Sequence, residues 1–409
     1  MKYSPRHPER SNESLVESKS QVYEIPRKLG MTWFLTTFVC LFSLSSMASS
    51  LQYAVIVDAG SSGSRAHVFE YAKSLPMIPV PVIKDINNKM TKPGLSSYAN
   101  TPDLAGPSLK PILDSVANDL QSRGVNLSQV PVSVLATAGM RLLPQDQQDA
   151  IYASVRRYIH DNYAFSLNDN NVLTISGTME GVYGWMDVNY LQNNFIHPSE
   201  TTGTIDMGGA STQIAFATTD TSKPANEVVV TINHRLYRIY SQSFLGLGQD
   251  QALNTMTTYP SAPNCFPTGY PSDSQISDFN FSPCSIIYSN IINSLDVTQN
   301  ILPTEGQKFV ATGGIYYNYK FFNILQTPTQ SALQSKINAI CYQPWSTLQS
   351  NYPDESTSNL SNYCANGVYF DDLIYNTYQV QGSQLNVIDH INGTGIDWTL
   401  GALLFSLVQ

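Results

Sequence analysis

The sequence predicts an α/β protein built as two similarly folded lobes that share one cleft. Three observations carry this prediction: a strand, glycine-rich turn, strand unit that occurs twice, an alternation of strand-like and helix-like runs, and a length of 409 residues. A chain of that length exceeds one ordinary hydrophobic core and falls short of a large assembly, so two lobes are expected.

The first unit reads YAVIVD over 53–58, AGSSGS over 59–64 and RAHVFEY over 65–71. Its outer runs have strand propensity and its centre holds turn residues, which together make a β-hairpin. The second unit has the same grammar, with TGTID over 202–206, MGGAS over 207–211 and TQIAF over 212–216. One such unit is weak evidence, because glycine is common in hairpin turns. Two of them, each with an Asp closing the first strand, suggest lobes that each offer a turn to a shared cleft.

Between the units, apolar positions recur at helical spacing over 107–123, a buried-type strand follows at 130–136, and a second helical stretch covers 145–163. That alternation is the α/β signature. Past the second unit, 243–300 turns to Asn, Pro, Tyr and Ser and reads as an insertion on the second lobe. Regular patterns return with a strand and turn at 308–314, a Tyr-rich segment at 315–322, and helices near 331–340 and 367–378. The final apolar helix, 398–408, is too short to cross a membrane and is expected to pack on the first lobe. On this division 1–49 is a polar segment plus signal, 50–178 with about 390–409 is lobe I, and 179–389 is lobe II.

Charged residues are only 13%, so the polar surface must come from Asn, Ser, Thr, Gln and the 24 Tyr, as is frequent in exported proteins. A net charge of −9 argues against an extended basic footprint and excludes nucleic acid as the expected partner. The run 31–47 is nearly free of charge, follows Arg27 and Lys28, and precedes Ala48, Ser49 and Ser50. This is the layout of a secretory signal. Cleavage is the first reading and an uncleaved anchor the second; any membrane anchoring rests on 31–47, and Met31 is an alternative start. With Cys40 inside the signal, Cys265, Cys284, Cys341 and Cys364 remain, and the economical pairing of three is Cys265–Cys284 with Cys341–Cys364. Four free buried thiols are the alternative. There is no CxxC, and the six His stand singly, so a Cys/His zinc site is not expected.

Turns of Gly, Ser and Thr expose several N–H and hydroxyl donors with no bulk to keep a ligand away, which suits a phosphate. In the first turn Ser61, Ser62, Gly63 and Ser64 supply donors and Arg65 adds a guanidinium; in the second Gly208, Gly209, Ala210 and Ser211 do the same. Asp58 and Asp206 then lie beside the anion, a poor place for a carboxylate unless a cation such as Mg²⁺ or Ca²⁺ sits between, partly through water. Turn capping is the plainer reading of either Asp alone. Glu180 follows a β-prone run among small residues and is the candidate general base, although a helix-start carboxylate is the plainer role. Gln213 is placed to orient the same water. No GxxxxGK[ST], GxSxG or HExxH motif supports P-loop, serine or zinc chemistry.

These residues resemble the apyrase family of nucleoside triphosphate diphosphohydrolases, on the actin-like, ribonuclease H-like fold. Five motifs occur in order: DAGSSGSR at 58–65, ATAGMR at 136–141, EGVYGW at 180–185 with Asn189 and Tyr190, DMGGASTQ at 206–213, and GIDWTLG at 395–401. Ser64 stands where the family usually has Thr. The resemblance implies that Ser61, Ser62, Ser64, Arg65, Thr137 and Ser211 hold phosphate, that Asp58 and Asp206 anchor the metal's water shell, and that Glu180 activates a water positioned by Gln213. It further implies an aromatic clamp on the base, formed by Tyr363 and a residue within Tyr317, Asn318 and Tyr319. Ordinary packing is the alternative for these tyrosines. The implied activity is metal-dependent hydrolysis of nucleoside tri- and diphosphates to the monophosphate. The rivals are an exopolyphosphatase-like hydrolase, a non-catalytic nucleotide-binding surface protein and, less in keeping with export, a sugar kinase.

Overall fold

A computed structural model of the chain describes residues 51–72, 80–196, 200–271 and 276–409. The signal run 31–47, Cys40 and the segment before them lie outside the described residues. Residues Ser49–Gln409 form one compact unit.

Two sheets organise this unit. The first contains β1 (Gln52–Ala59), β2 (Ser64–Ala72), β3 (Val82–Thr91), β4 (Pro131–Ala136) and β5 (Ser166–Thr174) in the order β3-β2-β1-β4-β5. The second contains β6 (Gly203–Met207), β7 (Ser211–Ala217), β8 (Glu227–Ile232), β9 (Arg235–Leu245), β10 (Phe309–Gly313) and β11 (Leu385–Val387) in the order β11-β10-β6-β7-β9-β8. Read from β9 to β11, the second sheet repeats the first with β8 added at its edge. In both, the first strand pairs antiparallel with the next and parallel with the one across the crossover. The repeat seen in two sequence units therefore extends to five strands per sheet.

The longer helices are α1 (Lys110–Ser122), α2 (Gln145–Asn162), α3 (Gly177–Leu191), α4 (Gln249–Thr257), α5 (Phe281–Asn293), α6 (Gly314–Phe321), α7 (Gln330–Cys341), α8 (Thr357–Phe370) and α9 (Trp398–Val408). In α1, Ile112, Leu113, Val116, Ala117 and Leu120 recur on one face and are the buried residues. They join α2 against one face of the first sheet. Helices α4 to α8 cover the second sheet and build the largest core. A third core joins the sheets: Ala54 and Ile56 of β1 and Ile239 of β9 meet Trp185 of α3 and Leu403 of α9.

Several expected boundaries change. The insertion proposed to begin at 243 starts inside β9, whose Ser243 pairs with Gln213. The boundary at 178 falls in the first turn of α3. The helix expected at 367–378 begins ten residues earlier, at Thr357, and ends in a π-helical segment, Asp371–Thr377. Helix α9 packs mainly on α3 and also touches β1, β3 and β8, so it bridges the sheets and is not confined to the first. Both disulfides, Cys265–Cys284 and Cys341–Cys364, are formed as expected.

Candidate active site

Hairpin register sets the site. Asp58 lies opposite Arg65 across the β1–β2 ladder, and Asp206 lies opposite Gln213 across β6–β7. Each first strand thus delivers a carboxylate to its turn, and each second strand delivers a polar side chain next to it. The two turns nearly touch: a Cβ on Gly209 would stand 2.7 Å from Ser61 Oγ and would make the facing side chains shift.

Between the turns runs a cavity of about 480 Å³. Asp58, Ser61, Ser62, Gly63, Arg65, Thr137, Glu180, Asp206, Gly208, Gly209, Ala210, Ser211 and Tyr317 all line it. Gln213 stands behind this lining, buried against Glu180 and Ser211. Four expected residues are not brought to the cavity. Ser64 is fully buried, because alternation along β2 turns it away from the face that carries Arg65 and His67; its counterpart in the second hairpin, Thr212, is buried in the same way. On α6 only Tyr317 of the three clamp candidates lines the cleft. Asn318 is buried and donates from Nδ2 to the Tyr363 carbonyl at 2.9 Å, while the Tyr319 hydroxyl donates to that of Tyr375 at 3.0 Å. Successive helical residues diverge by about 100°, so three in a row cannot share one face. Tyr363 stacks on Phe321 with centroids 4.0 Å apart and bonds Glu355 at 3.1 Å.

Glu180 sits in the first turn of α3, which begins where the Ser176 side chain caps the Met179 N–H. Its Oε2 accepts from Arg141 Nη2 at 2.7 Å and from Gln213 Nε2 at 3.1 Å. The same two groups reach Ser211 Oγ at 3.0 and 2.6 Å. Arg141, on the helical turn Ala138–Arg141, was part of a motif but had no assigned role; only the fold reveals that it crosses from one sheet to the other. Among the other lining residues, His67, Asp85, Gly313, Gly314, Gln249, Asp250, Tyr316, Asp389, His390, Asp397 and Trp398 were unforeseen as site residues. Gly313 has φ +66, and a Cβ there would meet the Met207 carbonyl at 2.4 Å, which is the signal its GG pair carried.

The electrostatics are those of a site short of positive charge. Burial, then Asp397 and Glu180, push Asp58 well above the usual carboxylate range. Burial, then Glu180 and Asp397, raise Asp206 to about 7. Burial also raises Glu180, against the opposing pull of Arg141. Asp58 Oδ1 is buried with no hydrogen-bond partner. A buried orphan carboxylate oxygen on which the charges of Asp397 and Glu180 also act suits a cation. Among the described residues no three His, Cys, Asp or Glu side chains converge to bind a metal directly.

Two hydroxyl- and glycine-lined turns facing each other over buried carboxylates define a phosphate-handling enzyme of the two-lobed, actin-like class. The chain belongs to the GDA1/CD39 (nucleoside phosphatase) family, whose model matches residues 45–408. It is 29% identical to "Probable apyrase 3" of Arabidopsis thaliana, over 90% of this chain and 84% of that one. It is 28% identical to "Ectonucleoside triphosphate diphosphohydrolase 2" of Mus musculus, over 87% of this chain and 82% of that one. Among solved structures, nucleoside triphosphate hydrolases from Neospora caninum share the fold with a TM-score of 0.62 at 16% identity, covering 88% of this chain and 92% of that one.

Proposed function

We propose that this chain is an exported apyrase that removes the terminal phosphate of nucleoside tri- and diphosphates and stops at the monophosphate. The observation that carries the reading is that Arg141 and Gln213 each bond both Glu180 and Ser211, which line the cavity between the two phosphate-type turns. The names of the similar apyrase and triphosphate diphosphohydrolase support the substrate class.

In this reading the backbone N–H groups and hydroxyls of Ser61, Ser62, Gly208 to Ser211 and Thr137 hold consecutive phosphates, with Arg65 as a charged partner. Glu180 takes a proton from a water that Gln213 and Ser211 orient, and the water attacks the terminal phosphorus in line with the departing oxygen. A divalent cation, Mg²⁺ or Ca²⁺, held near Asp58 and Asp206 largely through water, supplies charge neutralisation on the phosphates when bound. Tyr317, with Tyr316 and Trp398 on the same cavity, offers stacking surface for a base and implies broad base tolerance. Two disulfides support an extracellular or lumenal site of action. The lobe division proposed is the first sheet with α1 and α2, and the second sheet with α4 to α8.

The test is phosphate release from ATP, ADP, AMP and long-chain polyphosphate by the chain lacking 1–49, with Mg²⁺, with Ca²⁺ and with EDTA. Release from ATP and ADP alone, abolished by EDTA, is expected. Preference for polyphosphate would replace the reading with an exopolyphosphatase, and no release at all with a nucleotide-binding protein.

A further inference from the structure

One wall of the cleft carries a buried ion cluster that, Arg65 apart, the hydrolysis above does not use. His67 on β2 is 3% exposed. Its Nδ1 lies 2.8 Å from Asp85 Oδ2 on β3, and its Nε2 lies 3.2 Å from Asp397 Oδ2. Asp397 caps α9: its Oδ1 accepts from the Thr399 N–H at 2.9 Å and from the Thr399 hydroxyl at 2.6 Å. Its own N–H donates to Asp187 Oδ2 on α3 at 2.9 Å. Arg65 Nη1 approaches the same Oδ2 at 3.6 Å, and its Nη2 contacts Met90 Sδ at 3.4 Å. Two cations therefore share one carboxylate oxygen, and His67 is the nearer.

Arg65 is the more exposed partner and lines the cavity. A carboxylate left beside an exposed guanidinium closes on it as a two-point pair, the preferred geometry of Arg with carboxylates. His67 is held on a laddered strand between two carboxylates: Nδ1 hydrogen-bonds Asp85, while Nε2, buried without a hydrogen-bond partner of good geometry, faces Asp397 Oδ2 at ion-pair distance, so a ring protonated on both nitrogens suits its place between them. We propose that His67 is a positioning residue: by occupying Oδ2 of Asp397 it keeps that carboxylate from closing on Arg65 and leaves the guanidinium free for the substrate's phosphate. The inference rests on the phosphate-binding role given to Arg65 above.

The test compares kcat and KM for ADP in the wild type, His67→Gln, Asp397→Asn and the double variant, with His67→Gln repeated in an Arg65→Ala background. His67→Gln removes the charge, so KM is expected to rise about tenfold, the scale of one charge-assisted hydrogen bond, with kcat within about twofold. Adding Asp397→Asn, which keeps a capping side chain, returns KM toward wild type, and Asp397→Asn alone does not raise it. In the Arg65→Ala background His67→Gln leaves KM unmoved. A KM rise that persists without Arg65, or a fall in kcat with KM unmoved, overturns the proposal in favour of plain scaffolding. Nitrogen NMR of the wild-type chain at pH 8 reads the cluster independently of turnover: both ring nitrogens of His67 protonated supports the arrangement, and a neutral ring overturns it. If the wild type hydrolyses no nucleotide while the ring is doubly protonated, the apyrase reading fails, and direct binding of ADP to wild type and His67→Gln decides the positioning role, equal affinity overturning it.

Discussion

Glu180 receives both of its hydrogen bonds on Oε2, from Arg141 and Gln213, and this leaves Oε1 for a water. Burial makes the carboxylate a stronger base than it would be in solvent, and Arg141 opposes that rise. Replacing Glu180 by Gln retains the shape and removes the basicity. Turnover is expected to fall by about 10²–10⁴ with KM within a few-fold, measured by steady-state phosphate release; unchanged turnover would take Glu180 out of the role. Arg141→Ala makes the opposite change, leaving the carboxylate buried beside no cation. Its proton is then held to higher pH, so the acid limb of the kcat profile should move upward, with activity at pH 6 lost more than activity at pH 8. A uniform loss across pH would show that Arg141 acts on the phosphate and not through Glu180.

Helix α3 couples chemistry to architecture, because it carries Glu180 in its first turn and Asp187 two turns on, and lies against α9. The contact is backbone-close: a Cβ at Gly401 would come within 1.9 Å of the Tyr183 carbonyl. Gly401→Ala must therefore push the helices apart. A loss of about 1–3 kcal/mol in urea unfolding is expected, together with reduced kcat as Glu180 shifts; full stability and activity would mean that α3 and α9 move independently of the site. Much of this level was legible beforehand. Asp58 and Asp206 betrayed the two hairpins because an apolar strand ending in Asp before small residues leaves few other readings. The repetition of β4 in β10 was not legible, since FVATG is short and ends in no Asp. Nor was the Asp85, His67, Asp397 cluster, whose members come from β2, β3 and the far end of the chain, so that no local spacing announces them. The start of the insertion was misplaced because polar, Ser-rich composition begins while β9 is still paired. The register within Tyr317, Asn318 and Tyr319 was open for a simpler reason: their sequence does not say which of three successive helical residues faces the cleft, and the helix presents only Tyr317 to it.

Across the whole molecule, buried titratable groups give stability a direction in pH. Asp206 is raised from 3.8 to about 7, so between those values the folded chain holds a proton that the unfolded chain has lost, and stability falls as pH rises. Asp58 acts with the same sign. For His67, burial alone would lower the imidazole, but Asp397 and then Asp85 outweigh it and raise it to about 10 from 6.5. Its contribution is complete below pH 6.5 and is lost as pH approaches 10. Asp397 itself is held below the usual carboxylate range by His67 despite its burial, so its contribution disappears only in strong acid. A cation near Asp58 and Asp206 favours their charged forms and opposes the first of these losses. Thermal unfolding in EDTA should therefore show Tm declining from pH 5 to pH 9, with millimolar Mg²⁺ or Ca²⁺ raising Tm at pH 8 and hardly at pH 5. Asp206→Asn should flatten the lower part of the decline and remove the cation effect, while His67→Gln flattens only the upper part. Equal stabilisation by the cation at both pH values, or its survival in Asp206→Asn, would place the ion away from these carboxylates. In that case the raised Asp58 and Asp206 would have to be read as protonated partners of the phosphates, and hydrolysis would depend on Arg65 and Arg141 alone for positive charge.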